Sequence, residues 1–235
     1  MSNLKYIGQE LDIFAHAIHW KQYFSSIILP YSGPRVLEVG AGIGTTTAML
    51  CSTVVQDWLC LEPDAGLKQI LDQKLTDGGL PACCRSQLGI VNDLRDDELF
   101  DTIFYIDVLE HIEDDRGEAQ AAASHLNPNG TLIILSPSHQ WLFTPFDKAV
   151  GHYRRYSRTT LAAIGPAGYT LEKIVYLDSA GMLLSLANRL LLQQSMPTVG
   201  QIVFWDRWVV PISVVLDRVL GYRVGKSIVG IWRRT

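Results

Sequence analysis

Apolar residues recur at helical spacing from Glu10 to Leu29 (Leu11, Phe14, Ala15, Ile18, then Ile27 and Ile28). This predicts a helix, stopped by Pro30, Gly33 and Pro34. The pattern then shifts to short apolar runs separated by amphipathic stretches. Strand, glycine loop and helix occupy roughly 35 to 52, and a second strand reads Trp58 to Leu61. Helix resumes from Ala65 to Leu75, and Gly78-Gly79-Leu80-Pro81 makes a turn. Leu88 to Val91 reads as a short strand. Phe100 to Ile106 is a fourth strand, apolar after Asp101 and Thr102, as expected of a strand covered on both faces. An alanine-rich helix runs to about Leu126, Asn127-Pro128-Asn129-Gly130 turns, and Thr131 to Leu135 is a fifth strand. Strands alternating with helices predict a parallel sheet with helices on both faces.

The rhythm breaks in the last third. Gly165-Pro166-Ala167-Gly168 leads into a strand from Tyr169 to Leu177. Two helical stretches follow, Ser179 to Gln193 and Ile202 to Leu220, and Lys226 to Trp232 forms a last strand. Two late strands separated by an inserted helical pair fit an antiparallel edge carrying a cap. The apolar runs are interrupted by Asn188, Arg189 and Pro211, and none reaches the roughly 20 residues of a membrane span. Residues 1 to 30 lack a basic region followed by an apolar run, so no signal peptide is expected.

The 235 residues suit one domain, and 48% hydrophobic content argues against disorder. A net charge of −4 argues against a general nucleic-acid binder. Charge is uneven: eleven acids and two bases lie between Asp93 and Glu118, and six bases and two acids between Asp206 and Thr235. Cys51, Cys60, Cys83 and Cys84 show no C-x-x-C spacing, so no metal site is expected, and reduced thiols in a cytoplasmic setting are the plain reading.

The densest chemistry lies in Val36-Leu37-Glu38-Val39-Gly40-Ala41-Gly42-Ile43-Gly44-Thr45. The spacing is G-x-G-x-G, because position 45 is Thr. That favours a nucleoside cofactor with no diphosphate to cradle over a dinucleotide. Glu62 follows the second strand, Asn92-Asp93 the third, and Asp107-Val108-Leu109-Glu110-His111 the fourth.

In order and spacing these four features resemble the class I S-adenosylmethionine-dependent methyltransferases, most closely the small-molecule branch that includes the quinone-biosynthesis O-methyltransferases. The likeness covers roughly residues 33 to 178 and the final strand. It implies a Rossmann-like, mostly parallel seven-stranded sheet with an antiparallel last strand. It also implies S-adenosylmethionine as cofactor. Gly40, Ala41, Gly42 and Gly44 would then meet the amino acid end and ribose, with Glu38 beneath them. Glu62 would accept from the ribose diol, Pro63 and Leu94 would sandwich adenine, and Asn92 or Asp93 would accept from its amine. Asp107, Val108 and His111 would border the cofactor. His111 has two readings, a general base or a histidine that caps the helix and closes over the cofactor.

The loop from Ser136 to Ser157 is rich in aromatics and bases. In the resembled family it lines the acceptor pocket. His139 and His152 are then further candidate bases, and Arg154 and Arg155 candidate partners for an anionic acceptor. The alternative is structural, with Trp141, Tyr153 and Tyr156 packing the loop. Residues 1–30 form a candidate lid, with Tyr6 or Tyr23 over the site and Trp20 in the core. The apolar insertion over 179–222 packs against the sheet by default; the alternatives are a cap walling the acceptor pocket, a dimer surface or a membrane-resting face near Arg207, Arg218, Arg223 and Lys226. The expectation is therefore methyl transfer to an oxygen, less readily a nitrogen, of a small hydrophobic or anionic acceptor by a monomer or homodimer, cytoplasmic or peripheral at an inner membrane surface. The lack of a metal-ligand pattern argues against a metal-dependent catechol enzyme. Two rivals stay open: an NAD(P)-dependent reductase, for which Tyr169 and Lys173 form a Y-x-x-x-K match that enters a strand, and a non-catalytic cofactor- or membrane-surface-binding protein.

Overall fold

A computed structural model describes residues 10–192 and 194–234. Tyr6 lies outside them. Strands β1 (Arg35–Val39), β2 (Asp57–Glu62), β3 (Cys84–Leu88), β4 (Phe100–Ile106), β5 (Leu126–Pro137), β6 (Tyr169–Leu177) and β7 (Ser227–Arg234) form one sheet in the order β3-β2-β1-β4-β5-β7-β6. The pairs β3–β2, β2–β1, β1–β4 and β4–β5 are parallel, and β7 is antiparallel to both β5 and β6. This is the expected Rossmann-like sheet. Its strand order reverses between β1 and β4, and ligands of open α/β sheets sit beyond the strand ends at such a switch point.

Helices α1 (Glu10–Phe14), α2 (Ile18–Ile28), α3 (Thr45–Leu50), α4 (Ala65–Thr76) and α5 (Asp115–Ser124) precede the short α6 (Pro145–Ala149) and α7 (Arg158–Ala163). Two buried clusters sandwich the sheet. One gathers Trp20, Phe24, Val36, Trp58, Phe104 and Val229, and the other Leu37, Leu59, Ile103, Tyr105, Leu132 and Trp232. Alternate residues of the same strands feed opposite clusters, as the pleat requires.

Four boundaries differ from expectation. The first helix breaks between Phe14 and Ile18. Strand β3 is Cys84–Leu88, not Leu88 to Val91, because it lies at the sheet edge, where Arg85, Ser86 and Gln87 meet partial solvent and need no apolar run. Residues 127–130 belong to a long irregular β5, with a register shift against β4 and Asn129 at φ +64°. In the insertion, α8 (Ser179–Ala187) leads into a π-helical turn over Asn188–Leu192. The second helix is continuous from Val199 to Val219, comprising α9 (Val199–Phe204), a π-helical turn at Trp205–Val209, and α10 (Val210–Val219). At 21 residues and mean hydropathy 1.4, it is long and apolar enough by composition to cross a membrane, which corrects the expectation drawn from Pro211. Pro211 lies just after the π-helical turn, so the bond it cannot donate falls where the i→i−4 ladder is already interrupted.

Three buried aspartates pin the insertion to the domain. Asp178 accepts from Trp205 Nε1 (2.8 Å), Ser213 Oγ (2.5 Å) and the Gly181 amide (3.0 Å). Asp217 accepts from Tyr23 Oη (2.8 Å) and the amides of Asp178 and Ser179. Asp206 accepts from the Trp20 amide (2.8 Å) and contacts His19 Nδ1 (2.9 Å).

Candidate active site

The loop after β1 bends through three left-handed glycines, Gly40, Gly42 and Gly44. Gly40, at φ +68°, has no room for a Cβ, which would stand 2.7 Å from Val108 Cγ2. Gly44, at φ +74°, would clash likewise with Leu71 at 2.8 Å. The bare backbone therefore folds against the loop after β4 on one side and against α4 on the other.

Above this loop lies a cavity of about 1160 Å³. Small-molecule sites usually span roughly 300–1,000 Å³, so there is room for a nucleoside cofactor and an acceptor together. Its floor is Glu38, Gly40, Ala41 and Gly42, flanked by Glu62, Pro63, Asp107 and Val108. Glu62 is 4% exposed. Its Oε2 accepts from the Gly42 amide (2.8 Å) and its Oε1 from the Asp64 amide (2.9 Å), so it braces both loops while facing the cavity. Burial raises its carboxyl above the usual range, against the pull of those two amides. Beneath it, Glu38 accepts from Thr47 Oγ1 (2.5 Å) and Trp58 Nε1 (3.0 Å), and burial pushes it up to about 7.

The far wall carries a titratable cluster. Asp107, at φ +54°, turns its accessible surface into the cavity rather than to bulk water, and the enclosing walls push its carboxyl up to about 6. Glu110 is fully buried, accepts from Ser136 Oγ (3.0 Å), and leaves Oε1 unpartnered 3.9 Å from His152 Nε2. Burial, reinforced by Asp107, raises Glu110 well above the carboxylate range. His152 Nδ1 lies 2.9 Å from Asp147 Oδ1. Asp147 also takes a two-pronged contact from Arg155, Nε at 2.7 Å and Nη2 at 2.9 Å. Burial works against Asp147's charge, but the hydrogen bonds from His152 and Arg155 outweigh it and hold the carboxyl at about 2. The His111 ring packs edge-on to His152 at 4.5 Å, and burial lowers it to about 4. Apolar side chains complete the cavity, among them Leu11, Phe14, Phe24, Ile202 and Trp205. Lys21 also faces in, its ammonium donating to the Phe14 carbonyl (2.6 Å).

Most of the residues singled out in the sequence meet here: Glu38, Gly40, Ala41, Gly42, Glu62, Pro63, Asp107, Val108, His111, His152 and Arg155. Others stand outside the lining. Gly44 serves the turn below. Asn92 is exposed, Asp93 caps its own turn through the Ile90 amide, and Leu94 is buried in the core; Gly89 and Ile90 take their place at the wall. His139 stacks on Tyr176 at 4.7 Å, away from the cavity, and Trp141 is exposed. Tyr23 is tied to Asp217, and Tyr156 Oη donates to Asp115 (2.7 Å). Arg154 pairs with Asp115 (2.7 Å) and Arg155 with Asp147, so both guanidinium groups brace the loop; Lys21 and Lys226 also line the cavity, Lys226 paired with Asp178 at 3.3 Å.

Reasoning from the sequence missed Lys21, Glu110 and Asp147. Asp147 had one signal, the Thr144-x-x-Asp147 capping pattern, which points to helix initiation rather than chemistry. The cysteine spacing hid a convergence too. The sulfurs of Cys51 and Cys83 are 3.4 Å apart, Cys84 joins them, and Glu110, His111 and His152 form a second group of ligand-type side chains. Tyr169 and Lys173 both lie on β6 rather than on a helix, so they do not make a reductase pair.

A glycine loop and buried acid at the switch point of a mixed seven-stranded sheet mark a Rossmann-like nucleoside-binding site. The chain belongs to the methyltransferase domain family, which matches residues 12–172, and is a class I S-adenosylmethionine-dependent methyltransferase. No curated protein matches it in sequence. Solved structures show the same fold at low identity. A protein from Galdieria sulphuraria assigned as a sarcosine dimethylglycine methyltransferase aligns at TM-score 0.61 and 15% identity, over 92% of this chain and 84% of that one. Geranyl diphosphate methyltransferase in complex with SAM gives 0.63 and 12%, over 90% and 84%. Coclaurine N-methyltransferase bound to N-methylheliamine and SAH gives 0.61 and 12%, over 92% and 72%. Their acceptors differ, so the likeness carries the fold and not the acceptor.

Proposed function

We propose that this enzyme methylates an oxygen of a small, largely apolar acceptor, with His152 as general base. The Asp147–His152 contact of 2.9 Å in the cavity wall carries this reading. S-adenosylmethionine, when bound, supplies an electrophilic methyl group on a sulfonium. Glu38, Gly40 and Gly42 suit its amino acid end, and Glu62 its ribose hydroxyls; each Glu62 oxygen holds one backbone amide and keeps a second lone pair. Positioning and exclusion of water are the larger part of such catalysis.

Ionised Asp147 fixes His152 with Nδ1 as donor, which leaves Nε2 as acceptor. Nε2 takes the acceptor hydroxyl's proton as its oxygen gains the methyl group, and Asp147 steadies the imidazolium formed. His111, held near 4, is unprotonated at neutral pH but too weak a base for a hydroxyl, so closing over the cofactor suits it better. Helices α1 and α2 act as a lid, since Leu11, Phe14, Trp20 and Phe24 all face the cavity. Lys21 suits an anionic or hydroxylated head group on the acceptor.

The test is His152→Gln. Turnover with labelled S-adenosylmethionine falls by roughly 10²–10⁴ while cofactor affinity stays the same. Unchanged turnover would remove His152 from the reaction and favour an acceptor that is already anionic.

A further inference from the structure

The insertion is built inside out. Along the continuous helix from Val199 to Val219, the face turned to the domain carries Asp206, Ser213 and Asp217, all buried and hydrogen-bonded. The face turned outward is apolar. Phe204, Trp208, Ile212, Leu216 and Leu220 form one row at i+4 spacing, and Val199, Val203, Val215 and Val219 lie on the neighbouring row, all exposed. Leu183 and Leu190 extend the patch from α8 and the turn after it. Trp208 is 59% and Val219 77% exposed.

The charges sort as sharply. Between residues 179 and 223 the chain has four arginines and two aspartates. Arg189, Arg207, Arg218 and Arg223 are exposed, while Asp206 and Asp217 are buried. Every exposed ionisable charge of the insertion is thus positive. An apolar helical face fringed by arginine is complementary to an anionic lipid surface. It is a poor match for its own copy, since a two-fold contact would bring arginines toward arginines. Spanning the bilayer is disfavoured as well, because it would strip Asp206 and Asp217 of their partners in α2 and at Asp178, just after β6.

We infer that the exposed face of α8 to α10 lies on an anionic membrane, with the mouth of the cavity turned to the lipid. Leu184 and Phe204 are both exposed and part of the cavity lining, so the patch and the cavity are continuous. The acceptor is accordingly a lipophilic molecule that enters from the bilayer. This last step rests on the methyl-transfer reading of the cavity; the docking itself does not.

Flotation with phosphatidylcholine vesicles, with and without phosphatidylglycerol, tests it, alongside calorimetry with S-adenosylhomocysteine. The wild-type chain floats with the anionic vesicles, and brominated lipid quenches Trp208 fluorescence relative to Trp208→Phe. Trp208→Glu combined with Val215→Asp abolishes flotation, and Arg207→Gln with Arg218→Gln weakens it roughly twenty-five-fold, about fivefold per arginine. All of these variants keep wild-type cofactor affinity. A wild-type chain that stays unbound overturns the inference, whether as a monomer or as a dimer that Trp208→Glu dissociates. Vesicle binding without cofactor binding would instead sink the methyl-transfer reading and leave the docking standing.

Discussion

Glu62 is where the fold and the proposed cofactor site depend on the same atoms, so its replacement by glutamine is informative. In the wild-type chain Oε2 holds the Gly42 amide and Oε1 the Asp64 amide, both with the carboxylate 4% exposed. An amide side chain has only one acceptor oxygen. Glu62→Gln must therefore aim an NH₂ group at one of those two backbone donors, and it offers the ribose one acceptor instead of two. Hydrogen bonds to a charged group contribute about 1.5–3 kcal/mol each. Losing one on the ligand side predicts an affinity for S-adenosylhomocysteine weaker by roughly 10–100-fold, at about 1.4 kcal/mol per decade. The orphaned amide adds a destabilisation of about 1–3 kcal/mol in the cofactor-free protein. Calorimetric titration gives the first number, and thermal or urea unfolding of the same preparation gives the second. Wild-type affinity together with lowered stability would refute the reasoning, because it would make Glu62 a brace for the glycine loop and nothing more.

Other expectations follow from the buried carboxyls. Burial raises Glu38 from its ordinary 4.5 to about 7, so its contribution to stability is complete below about 4.5 and is lost as pH rises through 7. The loss amounts to about 3 kcal/mol, and Glu38→Gln, which can still accept from Thr47 and Trp58, flattens the slope of unfolding free energy between pH 5 and 8. Asp147 has the opposite sign. Its carboxyl is held at about 2, so its contribution is present above the ordinary 3.8 and fades as pH falls toward 2; Asp147→Asn removes that acid-side loss, costs about 3–5 kcal/mol at neutral pH, and lowers turnover through His152. Asp217→Asn leaves one of three donors (Tyr23, Asp178, Ser179) without an acceptor, and destabilises the protein by roughly 1–3 kcal/mol in urea unfolding with little change in cofactor affinity.

The sheet was legible because its central strands are apolar on both faces and its glycine loop is local in sequence. Val36–Gly44 dictates strand, turn and helix without help from distant residues. Strand β3 was misplaced for the converse reason: at the edge, Arg85, Ser86 and Gln87 are polar or charged, with Arg85 also bridging to Asp57 of β2 (2.9 Å), and side-chain polarity says little about pairing. The cofactor face of the site could be read from the order of motifs. The acceptor face could not, because it is assembled from α1, α2, the loop after β5 and the insertion, which meet only in three dimensions. His152 and Asp147 are five residues apart across a short helix end, a contact with no period to announce it. The insertion carried no signal of its orientation: Asp206 and Asp217 point inward and many of the leucines and valines outward.

The most direct measurement is a crystal structure of the protein with S-adenosylhomocysteine. The account predicts the nucleoside in the cavity above Gly40–Gly42, its ribose hydroxyls within hydrogen-bonding distance of Glu62 and its sulfur facing the space bounded by Asp107, His111 and His152. A nucleoside bound elsewhere, or one whose sulfur faces away from His152, would contradict it.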